Sequence, residues 1–161
     1  MDELSDFLSA GAFAALLERE ELRRGRTGEE MAVAVLDLDG VGAVGDKHGD
    51  DAVDAMLAAC AEALRRSARA SDELALTGPD EFAVLLHATD SKALSSWEER
   101  FEETLEETSG KLPTAPVTCA VGIADTGEAP TLMEVAARAR RRMEVIQTVR
   151  KLKRAREGGP S

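Results

Sequence analysis

Apolar positions repeat at helical spacing over residues 5–24, where Phe7, Leu8, Phe13, Leu16, Leu17 and Leu22 line one face and Glu and Arg fill the other. Gly25 and Gly28 bracket a loop. The apolar run MAVAVLDL (31–38) has the length and continuity of a buried strand. DGVGAVGD (39–46) reads as a glycine-rich loop. Residues 50–68 predict a second helix, with Val53, Met56, Leu57, Cys60 and Leu64 on one face. LALTGPDEFAVLL (74–86) is two apolar runs pinched at Thr77-Gly78-Pro79-Asp80, which predicts a hairpin with strands at about 73–77 and 81–87. An acidic-faced helix follows at about 91–108, then a strand at 116–125. A last helix runs from about 131 to 153 on a stripe of Val135, Ala139, Met143, Ile146 and Val149. After the first helix the order is β-α-β-β-α-β-α. That order predicts one α/β (α+β) domain: a central mixed sheet with a split βαβ core, flanked by helices. The domain is expected over 1–155, with a flexible tail at 156–161.

Charge narrows the class. The formal net charge of −11 disfavours a nucleic-acid binder, which needs a basic face. No apolar run is long enough to cross a bilayer and no leader is recognisable, so the expected compartment is the cytoplasm and no membrane partner is implied. Cys60 and Cys119, far apart and each in apolar surroundings, read as buried reduced thiols. Base concentrates late in the chain, at Arg138, Arg140, Arg141, Arg142, Arg150, Lys151, Lys153, Arg154 and Arg156. A solvated face with favourable charge near a helix C-terminus is the simpler reading. A surface for an acidic partner, another copy of the chain included, is the alternative.

Candidate chemistry sits at strand ends. Asp37 and Asp39 close the first strand, and Asp80 and Glu81 open the third. A split βαβ core makes those strands neighbours, so the carboxylates converge. Converging carboxylates repel unless a cation lies between them, and oxygen-only ligands favour Mg²⁺, which usually brings phosphates. Taken singly, each acid reads as a solvated turn residue. GVGAVG (40–45) has the look of a phosphate loop but lacks both the GxGxxG spacing and a Lys-Ser/Thr. At the hairpin, Gly78 with φ > 0 and Pro79 behind it suit a type II′ turn.

Four stretches together resemble the GGDEF family of diguanylate cyclases. DELSDFLSAGAF (2–13) is similar to DxLTGLPNRRAF, and VLDLDGVGAVGDKHGDDAVD (35–54) to LDLDGFKxINDxxGHxxGD. LTGPDEFAVLL (76–86) is similar to RxGGDEFxxLL, and VTCAVGIAD (117–125) to VTxSIGIA. The resemblance implies a cyclase fold that joins two GTP molecules into cyclic di-GMP with Mg²⁺, two domains facing each other. By position it implies Asp37 and Asp80 as metal ligands and Glu81 as the neighbouring catalytic acid. Gly78 becomes the backbone lying against GTP, and Asp54 the partner of the guanine edge. Arg69 and Asp72 match the RxxD site at which the family binds its product, cyclic di-GMP. A planar guanidinium suits both guanine and phosphate there.

The departures from the family are substantial. Pro79 stands for the second glycine, removing an N–H and adding a ring where substrate approaches. Gly45 replaces the guanine-reading Asn, Gly42 a Lys and Asp50 a His, and Ala10 and Gly11 replace the opening NR pair. On the last helix Glu144 and Thr148 fall where the family has phosphate-gripping Lys and Arg, with Arg140, Arg141 and Arg142 one turn earlier. Without two bonds to phosphate and one to guanine, each independent of the others, binding would weaken by roughly 4–8 kcal/mol. The expectation is a catalytically impaired domain that binds cyclic di-GMP as a receptor or regulatory module. The alternatives are a weakly active, GTP-using cyclase and a nucleotide-independent interaction domain with a protein partner or as a homodimer.

Overall fold

A computed structural model describes residues 4–87 and 89–158. The elements are α1 (Ala10–Thr27), β1 (Met31–Leu38), α2 (Val41–His48), α3 (Asp50–Ser67), β2 (Glu73–Leu76), β3 (Glu81–His87), α4 (Ser91–Ser109), β4 (Cys119–Asp125) and α5 (Leu132–Gly158). The sheet order is β2-β3-β1-β4. This is the expected α+β domain, but the sheet is not mixed, because all three ladders are antiparallel. The split core does hold β1 and β2 in the same direction. β3 lies between them, so the two parallel strands never pair.

Strand periodicity sorts the core into two layers. Ala32, Ala34, Leu36 and Leu38 of β1 face a cluster with Met56, Cys60 and Leu64 of α3 and Phe101 and Leu105 of α4. Met31, Val33 and Val35 face Phe13, Leu16 and Leu17 of α1 and Val135, Ala139 and Met143 of α5. Gly122 lets β4 and α5 touch: a Cβ there would stand 2.0 Å from the Ala139 carbonyl oxygen. The two thiols meet in the first layer, Sγ to Sγ at 3.8 Å, both buried and free. Contact with Cys60 and burial push the Cys119 thiol up.

Three sequence expectations change. The first helix begins at Ala10 rather than residue 5, because Ser9 caps it by accepting from the Ala12 N–H at 3.1 Å. Leu8 instead bridges to β2, its N–H donating to Leu74 and its carbonyl accepting from Leu76. Second, the glycine-rich stretch is a helix. Gly40 turns the chain at φ 73°, and Val41 and Val44 then pack on the core, so Gly42 and Gly45 lie inside α2 rather than in a phosphate loop. Third, α5 continues through Gly158 on good helix formers, past the expected end at 153 and into the stretch expected as a tail. Residues 159–161 of that tail lie outside the described residues. Leu22 and Val149, assigned by spacing to buried stripes, are 76% and 57% exposed.

β4 is an edge strand, and α5 covers it. The Cys119 carbonyl accepts from Arg150 at 2.7 Å and the Ile123 carbonyl from Arg142 at 2.6 Å, while Glu128 takes the Asp125 N–H at 2.9 Å. Unpaired strand edges template aggregation. Arg142→Ala is therefore expected to lower the onset of heat-induced light scattering by several degrees at unchanged far-UV dichroism. An unchanged onset would count against this role.

Candidate functional site

The β1–β3 ladder brings the strand-end acids together. Asp37 and Glu81 are register partners, and the Leu38 N–H donates to the Asp80 carbonyl at 3.2 Å. The partly buried Asp37 carboxyl lies beside Asp80 and Gln147 of α5. Burial, then the Asp80 charge, push the Asp37 carboxyl up to about 6, against the pull of Gln147. Glu81 is buried and shares a sheet face with Asp37, whose carboxyl its charge also raises. Arg140 grips it with two bonds of 2.6 and 2.7 Å, and Thr77 Oγ1 donates to it at 2.6 Å. Asp39 is likewise taken, accepting from Arg150 and from Thr118 Oγ1, each at 2.6 Å.

Among the described residues no group of three or more His, Cys, Asp or Glu side chains is arranged to hold a metal ion. The strand ends offer two free carboxylates instead, Asp37 and Asp80. Two fit Mg²⁺, which commonly takes one or two carboxylates plus substrate phosphates. The mutual repulsion that raises Asp37 is what such a cation relieves.

The remaining expected residues take different places. Asp54 is exposed on α3. Gly45 of α2 abuts the neighbouring Val53, whose Cγ2 would stand 3.4 Å from an added Cβ. At the hairpin, the Thr77 N–H donates to the Glu81 carbonyl at 2.9 Å. Gly78 is not among the glycines with positive φ, which are Gly28, Gly40 and Gly49, so the type II′ turn does not form. The four-residue tip, closed by Thr77, needs no left-handed residue. Pro79 stands exposed on it.

The charges of α5 are phased differently from the sequence alignment. Glu144 and Thr148 are solvent-exposed, with Thr148 Oγ1 donating to its own helix at Glu144. Arg140, Gln147 and Arg150, seven and three residues apart, face the strand-end acids instead. Arg140 is one of the three arginines that the sequence offers a turn earlier, Arg150 enters only as a member of the late basic cluster, and Gln147 carries no signal in the sequence. Two cations therefore stand beside the strand-end acids, Arg140 paired with Glu81 and Arg150 with Asp39.

Arg69 and Asp72 lie at the other end of β3, six residues and about 20 Å from Glu81. The Asp72 carboxylate is fully buried. It accepts from the Arg69 N–H at 3.0 Å and from the His87 N–H at 3.3 Å. The Arg69 guanidinium donates to the His87 carbonyl, lies 3.6 Å from Asp72, and is 48% exposed. Asp72 thus holds a turn from which Arg69 reaches solvent.

The domain is thus an antiparallel α+β sheet with paired carboxylates at its strand ends and cations on the covering helix beside them. Residues 1–151 match the family described as "Diguanylate cyclase, GGDEF domain", and the chain belongs to that family. It is 34% identical over 124 residues to diguanylate cyclase DgcP of Pseudomonas aeruginosa, covering 76% of this chain but only 18% of that protein. Diguanylate cyclase DosC of Escherichia coli is 27% identical over 111 residues, 69% of this chain and 24% of the relative. Among solved structures, the GGDEF domain of DgcB from Caulobacter crescentus in complex with cyclic di-GMP superposes with a TM-score of 0.78 at 20% identity, over 97% of this chain and 89% of that one. The GGDEF domain of YfiN (TpbB) from Pseudomonas aeruginosa does so at 0.76 and 27% identity, over 91% and 88%. No helix among the described residues is long and apolar enough to cross a membrane.

Proposed function

We propose that this domain is a cytoplasmic receptor or regulatory module that binds cyclic di-GMP through Arg69, its cyclase chemistry impaired. The observation carrying this reading is the half-exposed guanidinium of Arg69, fixed on a turn by the buried Asp72. An oriented planar fork loses little freedom on gripping guanine and phosphate. On this reading Asp72 positions Arg69 rather than touching the ligand. At the opposite end, Pro79 crowds the hairpin and Arg140 neutralises Glu81. Occupancy reaches a partner only where the ligand prefers one conformation or assembly.

One observation favours weak cyclase activity as a second reading: Asp37 and Asp80 still meet, beside Arg140 and Arg150. Asp37 and Asp80 would hold the Mg²⁺ that GGDEF cyclases use, which when bound offsets phosphate charge.

Calorimetric titration separates the readings. Cyclic di-GMP is expected to bind at low micromolar concentration, and at least tenfold more weakly to Arg69→Ala, the equivalent of one charged hydrogen bond. Absence of binding to the unaltered domain would sink the receptor reading. Binding and turnover of GTP with Mg²⁺, abolished in Asp80→Ala, would then favour the cyclase. Silence from both nucleotides would leave an interaction domain.

A further inference from the structure

Two features of the molecule lack a partner within one chain. The first is a groove of about 760 Å³ between α4 and the segment leading into β4. Its floor is apolar, with Leu105 and Val117, and its rim carries Glu99, Glu102, Glu103 and Glu106. Of the acids of α4, only Glu107 has an ion-pair partner among the described residues, Arg66 at 4.0 Å. Burial and the charge of Glu102, one turn away on α4, push the Glu98 carboxyl up. The cation that reaches the groove, Arg150, already serves Asp39 and the Cys119 carbonyl.

The second feature is the far half of α5. Val145, Val149 and Leu152, spaced four and three residues apart, share one face and are 62%, 57% and 62% exposed. Arg156 continues that face and Lys153 flanks it. Residues 151–157 are all exposed, and the helix runs about 12 Å beyond Arg150. Pairing two such faces directly would set base against base.

We infer that this half of α5 docks in the acidic groove of a second copy of the chain. An amphipathic helix laid in an apolar-floored groove is a recurrent recognition mode, and here the rim and the helix have opposite charge. The occupant is a second copy because groove and helix are adjacent on one molecule: Arg150 belongs to both. One two-fold axis then seats each helix in the other groove, so the assembly closes as a dimer instead of growing into a fibre. A chain cannot fill its own groove, since the same straight helix carries Arg150 past it. This dimer needs no ligand and does not involve Arg69.

Sedimentation equilibrium on the nucleotide-free chain at low salt tests the inference. A dimer is expected at about 100 μM, where a Kd of tens of micromolar is visible. High salt should dissociate it. Glu102→Lys with Glu106→Lys, or Lys153→Glu with Arg156→Glu, should weaken it at least tenfold. All four changes in one chain should restore it, and Arg69→Ala should leave it intact. A monomer at that concentration would overturn the proposal. So would indifference to both reversals in variants of native dichroism, or reversals that fail to rescue one another.

Discussion

Arg140→Ala is expected to destabilise the domain by about 2–3 kcal/mol at pH 7.5 and by less at pH 5. The reason lies in what Arg140 faces. Its guanidinium meets Glu81, whose side chain is 11% exposed, and Glu81 is the register partner of Asp37, itself in contact with Asp80. Removing one member of a buried pair costs about 3–5 kcal/mol because the other charge is stranded. Arg140 is 48% exposed, so solvent screening takes the expected loss below that range. The pH dependence follows from Asp37. Its folded-state value, about 6, lies above the ordinary 3.8. Between those values the native state binds more protons at Asp37 than the unfolded chain, so the contribution of Asp37 to stability is fully present below about 3.8 and is lost as pH rises through 6. Loss of Arg140 leaves uncompensated the Glu81 charge that already raises Asp37, and so steepens that fall. Urea denaturation with a chelator present, at both pH values, measures it. Adding Mg²⁺ at pH 7.5 should recover part of the loss through Asp37 and Asp80. An equal loss at pH 5 and 7.5 would mean that the Arg140–Glu81 pair does not bear on Asp37.

The acids were legible in the sequence for the same reason that the fold was. Element order alone makes β1 and β3 neighbours, and strand ends then dictate which carboxylates meet. The cations were not legible, because their partners depend on the rotation of α5 about its own axis. The chain offers two apolar stripes on that helix. Val135, Ala139 and Met143 are buried, while Val145, Val149 and Leu152 are exposed. Spacing carries an eye smoothly from one to the other. The positions expected to face phosphate, Glu144 and Thr148, stand three and two residues before Gln147 and Arg150, which face the strand-end acids. The error at 39–46 has a different source. Two glycines and two valines in eight residues make a poor helix by propensity, and α2 forms because Gly40 aims it and the core receives Val41 and Val44. Asp72 shows a third limit. The RxxD spacing selects the turn but does not say whether the acid points outward, and here it is buried against backbone N–H groups.

Pro79→Gly combined with Gly45→Asn is expected to raise Mg²⁺-dependent GTP turnover by about a hundredfold, or roughly 3 kcal/mol. Each change supplies one hydrogen bond that the present residue cannot make. Pro79, exposed at the hairpin tip, has no N–H to offer and presents a ring to anything approaching Asp80. Gly78 is not left-handed, so a glycine after it can relax the tip without breaking the Thr77–Glu81 closure. A side chain at Gly45 meets Val53, the residue before Asp54, at ordinary contact distance, so an Asn there fits. One hydrogen bond restored at each position contributes about 1–1.5 kcal/mol, and removal of the ring supplies the rest. The readout is cyclic di-GMP formed per domain, with Asp80→Ala in the same background as the blank. A rise that the blank abolishes would locate the impairment at the hairpin and the guanine pocket. If the double variant binds GTP but does not turn over, the block lies at Glu81 and its Arg140 clasp. Relaxing that clasp with Arg140→Gln in the same chain is then the change expected to release activity.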